Sequence, residues 1–123
     1  MYEFYNPNPD AIYTGDCVVR AISKVLHQSW DETYDDICKQ GGIMHRMPSN
    51  NGVWGEYLRI NGFSKHLIYC HECYTVREFV EDFPRGTYVL GLDGHVVAVI
   101  NGTYFDTSDS GDETVIYYWK REV

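Results

Sequence analysis

An α+β fold, with N-terminal helices packed on a mostly antiparallel sheet, follows from three features of the sequence. Apolar residues recur at helical spacing through the first half of the chain. Two hairpin dipeptides, Asp93-Gly94 and Asn101-Gly102, cut the last third into short strands. The strands follow the helices instead of alternating with them, which is the order of an α+β layout and not of a parallel α/β one. A chain of 123 residues has the length of one domain, and an apolar share of 44% is enough for a core at that length.

Each element has its own signal. Tyr5-Asn6-Pro7-Asn8-Pro9-Asp10 is an extended, turn-rich lead-in, because each proline biases the asparagine before it away from helix. The first helix is expected over Asp16 to His27, with Val18, Val19, Ala21, Ile22, Val25 and Leu26 as its apolar set. Ser29 and Glu32 form a capping box that starts a second helix, which Gly41-Gly42 should end. Trp30, Tyr34, Ile37 and Cys38 share one of its faces. Ile43 to Ser49 reads as a loop, and a third helix as Asn50 to Ile60 with Val53, Trp54, Tyr57 and Leu58 inward. Lys65 to Cys70 reads as a strand. Thr75 and Glu78 form a second capping box, opening a short helix that Pro84 closes. Strands are then expected over Thr87 to Leu92, His95 to Ile100, Thr103 to about Thr107 and Val115 to Lys120.

The hairpin register places two polar residues together. With Asn101-Gly102 as a two-residue turn, Ile100 opposes Thr103, Val97 opposes Asp106 and His95 opposes Ser108. His95 and Asp106 then share a face as a diagonal pair, with Cβ atoms roughly 7–8 Å apart. In strict register Asp109 faces the other way, and it comes into play only if the strand ends or bulges. Both faces of the His95 strand are apolar, so it is a central strand covered on both sides. A histidine and a carboxylate there are costly unless paired. A bland reading remains for each, a hydrogen-bonded core histidine and a strand-end carboxylate.

Cys17 stands where the turn Thr14-Gly15-Asp16 becomes the first helix. The first turn of a helix carries unpaired N–H groups and a partial positive charge, and a thiol there loses its proton more easily. If the first helix covers the His95 face, Cys17, His95 and Asp106 supply a nucleophile, a base and an orienter. Asp16, next to the cysteine, reads as a helix-start residue.

This order of residues resembles that of papain-like cysteine peptidases: cysteine at a helix start, histidine on a strand, Asp or Asn on the next. Gly15-Asp16-Cys17-Val18-Val19-Arg20-Ala21-Ile22 also resembles the nucleophile motif of ovarian-tumour-type deubiquitinases. Over nearly its whole length the chain is similar to a group of small proteins from Gram-positive bacteria and their phages. That similarity is carried by Asn6-Pro7-Asn8-Pro9, the cysteine segment, Gly94-His95-Val96-Val97-Ala98-Val99 and Tyr104-Phe105-Asp106-Thr107. The resemblance implies a minimal papain-like fold and a Cys17-His95-Asp106 triad. It departs at one point. Papain-like enzymes carry a Gln about six residues before the cysteine as an oxyanion donor, where this chain has Ala11. The nearest upstream amide is Asn8, expected to act with the Cys17 N–H.

The remaining features narrow the partners. A net charge of −8 and a pI near 4.9 argue against nucleic acid or an anionic membrane as partner, since both need a basic footprint. No stretch approaches the roughly 20 apolar residues of a membrane span. Met1 to Tyr5 lacks the basic start and apolar run of a secretory signal, so a cytoplasmic setting, in a bacterium or a phage-infected host, is expected. The four cysteines then read as thiols. Cys70-His71-Glu72-Cys73 holds only one CxxC pair. A zinc module would need two further ligands, for which His66 and His71 have no standard spacing. No cofactor or metal is expected. The expected activity is hydrolysis of a peptide or isopeptide amide by a cysteine hydrolase, with thioester acyl transfer as a further chemistry. The alternative is an accessory interaction factor on the same fold, without active chemistry.

Overall fold

The computed structural model of the chain describes residues 1–69 and 74–122. Among these, the elements in chain order are β1 (Tyr2–Phe4), α1 (Cys17–Leu26), α2 (Trp30–Met44), α3 (Asn51–Ile60), β2 (Phe63–Leu67), α4 (Val76–Asp82), β3 (Thr87–Leu92), β4 (His95–Ile100), β5 (Thr103–Asp106) and β6 (Tyr117–Arg121). The strands form one sheet in the order β1-β5-β4-β3-β6-β2. Only the β1–β5 pair is parallel. The fold is therefore α+β, with helices packed on a mostly antiparallel sheet.

Strand alternation sorts the core into two layers. On one face Val89, Val96, Ala98 and Trp119 pack against Ala21, Ile22 and Val25 of α1, Ile37 of α2 and Val53, Trp54 and Leu58 of α3. On the other, Leu90, Val97, Val99 and Tyr104 pack against Val76, Phe79 and Val80 of α4. The β4 strand is central and covered on both sides, as its two apolar faces predict.

Local signals account for most boundaries. Ser29 Oγ accepts the Glu32 N–H at the start of α2, and Thr75 and Glu78 form a reciprocal capping box at α4. The Asn101-Gly102 turn sets Ile100 opposite Thr103 and Val99 opposite Tyr104, the expected register.

Five expectations need correction. First, α2 runs through Gly41-Gly42 to Met44 and ends on His45 in the left-handed region, φ 55°. Gly41 serves close approach instead: a Cβ there would lie 2.7 Å from the Arg46 carbonyl oxygen. Second, β2 begins at Phe63, two residues before Lys65, because the buried Phe63 ring anchors its pairing with Arg121. Third, Tyr2–Phe4 is a strand. Its only partner is β5, about a hundred residues away in the chain, and three residues carry no periodic signal. Fourth, the β4–β5 ladder stops at Ala98–Phe105, so the expected pairings of Val97 with Asp106 and of His95 with Ser108 are absent from it. Beyond Asp106 the chain turns, with the Thr107 N–H donating to Asp106 Oδ1 at 2.7 Å. Fifth, α1 lies on the Val96/Ala98 face, not on the Val97/Val99 face to which strict alternation assigns His95.

Candidate active site

Cys17 is the first residue of α1, His95 the first of β4 and Asp106 the last of β5. The three meet at element ends, where side chains are not bound by the alternation of the sheet. That is how a helix on the opposite face still delivers its cysteine to His95.

His95 Nε2 and Asp106 Oδ2 are 2.6 Å apart. With Nε2 taken, Nδ1 is the ring nitrogen left for the thiol. Burial pushes the Cys17 thiol up, but hydrogen bonds from His95 and the Val96 N–H, with the His95 and Arg20 charges, outweigh it. The net pKa lies below the ordinary thiol value of 9.0. The Val96 N–H can serve the sulfur because the β4–β5 ladder has already ended. The Asp106 hydrogen bond, then that of Cys17, pushes His95 up to about 10 from an ordinary 6.5. Burial raises the Asp106 carboxyl, but hydrogen bonding and the charge of His95, then the Thr107 N–H and Ser110 hydroxyl, bring it below its ordinary 3.8. Both shifts, the thiol's downward and the imidazole's upward, favour a thiolate–imidazolium pair over the neutral pair, with the Asp106 carboxylate behind the ring.

Asp106 is 2% exposed, and every oxygen has work. Ser110 Oγ donates to Oδ2 at 3.0 Å, and Arg20 Nη2 lies 3.3 Å from Oδ1. Its carbonyl accepts the Tyr5 N–H at 2.9 Å and the Tyr2 hydroxyl at 3.1 Å, so the missed strand β1 and its continuation fix the backbone of Asp106. Asp109 turns away: it accepts from the Tyr104 hydroxyl and the Gly111 N–H.

Arg20 is the residue that sequence reasoning passed over. It is buried one turn beyond Cys17 and bridges Asp106 to Asp16. Asp16 in turn accepts the Trp30 indole N–H at 2.9 Å. As expected, Asp16 heads the helix and does not touch His95. Its side chain caps no backbone N–H and holds Arg20 instead. The i,i+4 spacing of Asp16 and Arg20 was the available signal.

A cleft of about 560 Å³ opens over Cys17 and His95. Trp30, Tyr34 and Ile37 of α2 form one wall, Pro48, Ser49, Asn51 and Trp54 another, and Leu92 and Tyr117 a third. Trp30 and Tyr34 stack at 5.0 Å with an interplanar angle of 8°, so the expected apolar face of α2 is partly a cleft wall and not all core. Trp54, buried in the core, also reaches this cleft.

Asn8 is not among the residues that line the cleft. It is buried, and its Oδ1 accepts the Asp10 N–H at 2.9 Å within the lead-in turn. The structure therefore brings Cys17, His95 and Asp106 together and leaves Asn8 apart. Cys70 and Cys73, the pair considered for zinc, lie outside the described residues. Among those described, no cluster of His, Cys, Asp or Glu is arranged to hold a metal ion, and no helix is long and apolar enough to cross a membrane. Compared with protein-family models, curated proteins and solved structures, the chain matches none.

Proposed function

We propose that the chain is a cysteine hydrolase that cleaves a peptide or isopeptide amide through Cys17, His95 and Asp106. The observation that carries this reading is the 2.6 Å His95–Asp106 contact with the Cys17 thiol on the other side of the ring. A packing histidine needs one partner. This one has a buried carboxylate behind it, a depressed thiol before it and a cleft above. The chain order also agrees with the papain-like resemblance.

The chemistry follows from the protonation states. The Cys17 thiolate attacks the carbonyl carbon, a C–S bond forms and the π pair moves to oxygen. On collapse the C–N bond breaks, and the amine leaves with the His95 proton. Neutral His95 then takes a proton from water, which attacks the thioester. The C–S bond breaks, the acid departs and the thiolate–imidazolium pair is restored. Asp106 holds the ring in orientation and stabilises its charge. The acidic chain and the cleft over the nucleophile fit a protein or peptide substrate.

A second reading, an interaction factor without active chemistry, is favoured by one observation. Ala11 stands where an oxyanion side chain is expected, and Asn8 does not line the cleft. Thiol labelling separates the two. Under limiting iodoacetamide near neutral pH, peptide mapping should find Cys17 modified well ahead of Cys38, and His95→Ala should remove that lead. Equal labelling of the two thiols in the unaltered protein would sink the hydrolase reading.

A further inference from the structure

A hydrolase of this kind needs a second donor, beside the Cys17 N–H, for the oxygen that becomes negative in the tetrahedral intermediate. The sheet supplies one in an unexpected place. Tyr117 of β6 is directly opposite Gly91 of β3, and Gly91 is directly opposite Val96 of β4. These three residues form a single row across the sheet, and the row ends at the Val96 N–H, which helps to lower the Cys17 thiol.

Gly91 leaves the row open. A Cβ at that position would lie 2.1 Å from Tyr117 Cζ and 2.3 and 2.4 Å from the two Cε atoms. The hydroxyl-bearing end of the ring therefore rests on the Gly91 backbone, and the phenol oxygen, one bond further on, projects past β3 toward β4 and Cys17. Any side chain at Gly91 would block that path. Lys65 Nζ lies 4.5 Å from the ring centroid and holds the ring from the β2 side. Tyr117 and Cys17 line the same cleft.

We propose, resting on the cysteine-hydrolase reading, that the Tyr117 hydroxyl is the side-chain donor that stabilises the oxyanion, in the role left vacant at Ala11. Two further observations support it. Among the described residues the hydroxyl makes no hydrogen bond and so is free to donate into the cleft; those of Tyr13, Tyr69 and Tyr118 also make none but do not line it. Burial, and then the Cys17 charge, push the phenol above its ordinary 10.0, so near neutral pH it is a protonated donor. When the carbonyl π pair moves to oxygen, the Tyr117 O–H donates to it without giving up its proton. The hydrogen bond is released when the pair returns and the leaving group departs.

Two reactions of Cys17 separate this role from packing. Acylation by p-nitrophenyl acetate passes through an oxyanion, whereas alkylation by iodoacetamide is a displacement at an sp³ carbon and does not. Tyr117→Phe keeps the ring over Gly91 and removes only the oxygen. The Cys17-dependent release of p-nitrophenolate, measured against Cys17→Ser, should fall about 10²-fold, the typical effect of one lost donor. Alkylation should keep its wild-type rate. Gly91→Ala, which displaces the ring, should show the same selective loss. Equal acylation by the wild type and Tyr117→Phe would overturn the assignment, as would a parallel loss in both reactions. If wild-type Cys17 is no faster than Cys38 in either reaction, the hydrolase reading fails first, and this assignment fails with it.

Discussion

Arg20 Nη2 lies 3.3 Å from Asp106 Oδ1, which ties the helix that carries Cys17 to the strand that carries Asp106. Arg20 and Cys17 are three residues apart on α1 and so share a side of the helix. The same guanidinium holds Asp16, and Asp16 holds the Trp30 indole of the cleft wall. One buried cation thus sets the spacing of Cys17, Asp106 and the cleft wall.

Arg20→Met strands the buried Asp16 carboxylate and leaves Asp106 with His95 alone. Breaking a buried ion pair in this way costs about 3–5 kcal/mol. Urea unfolding should show a loss of that size. Part of it should return in the double variant Arg20→Met/Asp16→Asn, since the stranded Asp16 charge is then gone.

The pH dependence of stability has a sign that depends on Cys17. His95 is raised in the folded protein, so its contribution is complete below pH 6.5 and is lost as pH rises through about 10. Cys17 is depressed, so its contribution is complete above 9.0 and is lost as pH falls through its lowered folded value. Between the two ordinary values the slopes oppose each other, so the wild-type profile should decline less steeply than it would without the thiol. Cys17→Ser removes one slope, so its urea midpoint should decline as pH rises above His95's ordinary value. A wild-type profile that declines as steeply as that of Cys17→Ser would contradict the ion pair.

Asp106 sets the acid limb. Its carboxyl is depressed, so its contribution holds above pH 3.8 and is lost as pH falls through its lower folded value. Asp106→Asn should flatten that limb. It should also return the His95 ring toward ordinary titration, seen as an earlier loss of the imidazolium signal by NMR.

Away from the site, Thr75→Ala removes the hydroxyl that caps the Glu78 N–H at α4. The expected loss is about 1 kcal/mol, measured by urea unfolding, with no change in Cys17 reactivity.

The sequence makes parts of this site legible because their causes are local. The Asn101-Gly102 turn set the register that put His95 and Asp106 on one face, and the 2.6 Å contact agrees with it although the ladder ends early. Two capping boxes marked α2 and α4 for the same reason. What was missed depends on distant partners. Tyr2–Phe4 is a strand only because β5 is there, and Gly41 is needed only because the Arg46 carbonyl turns back on it. Tyr117 reads as an ordinary strand residue until the order β4-β3-β6 puts Gly91 between it and Val96. Arg20 looked like a helix residue beside the nucleophile, and its role comes from a carboxylate on β5.

The central claim is that Cys17 rests as a thiolate paired with the His95 imidazolium, and the pH dependence of its alkylation tests this most directly. Iodoacetamide rates at Cys17, followed by peptide mapping, should stay high well below the thiol's ordinary 9.0. They should not fall as His95 deprotonates near 10, because alkylation needs only the thiolate. In His95→Ala the profile should move up toward that of an ordinary thiol, 9.0. A wild-type profile that already follows the ordinary thiol, unchanged by His95→Ala, would contradict the account.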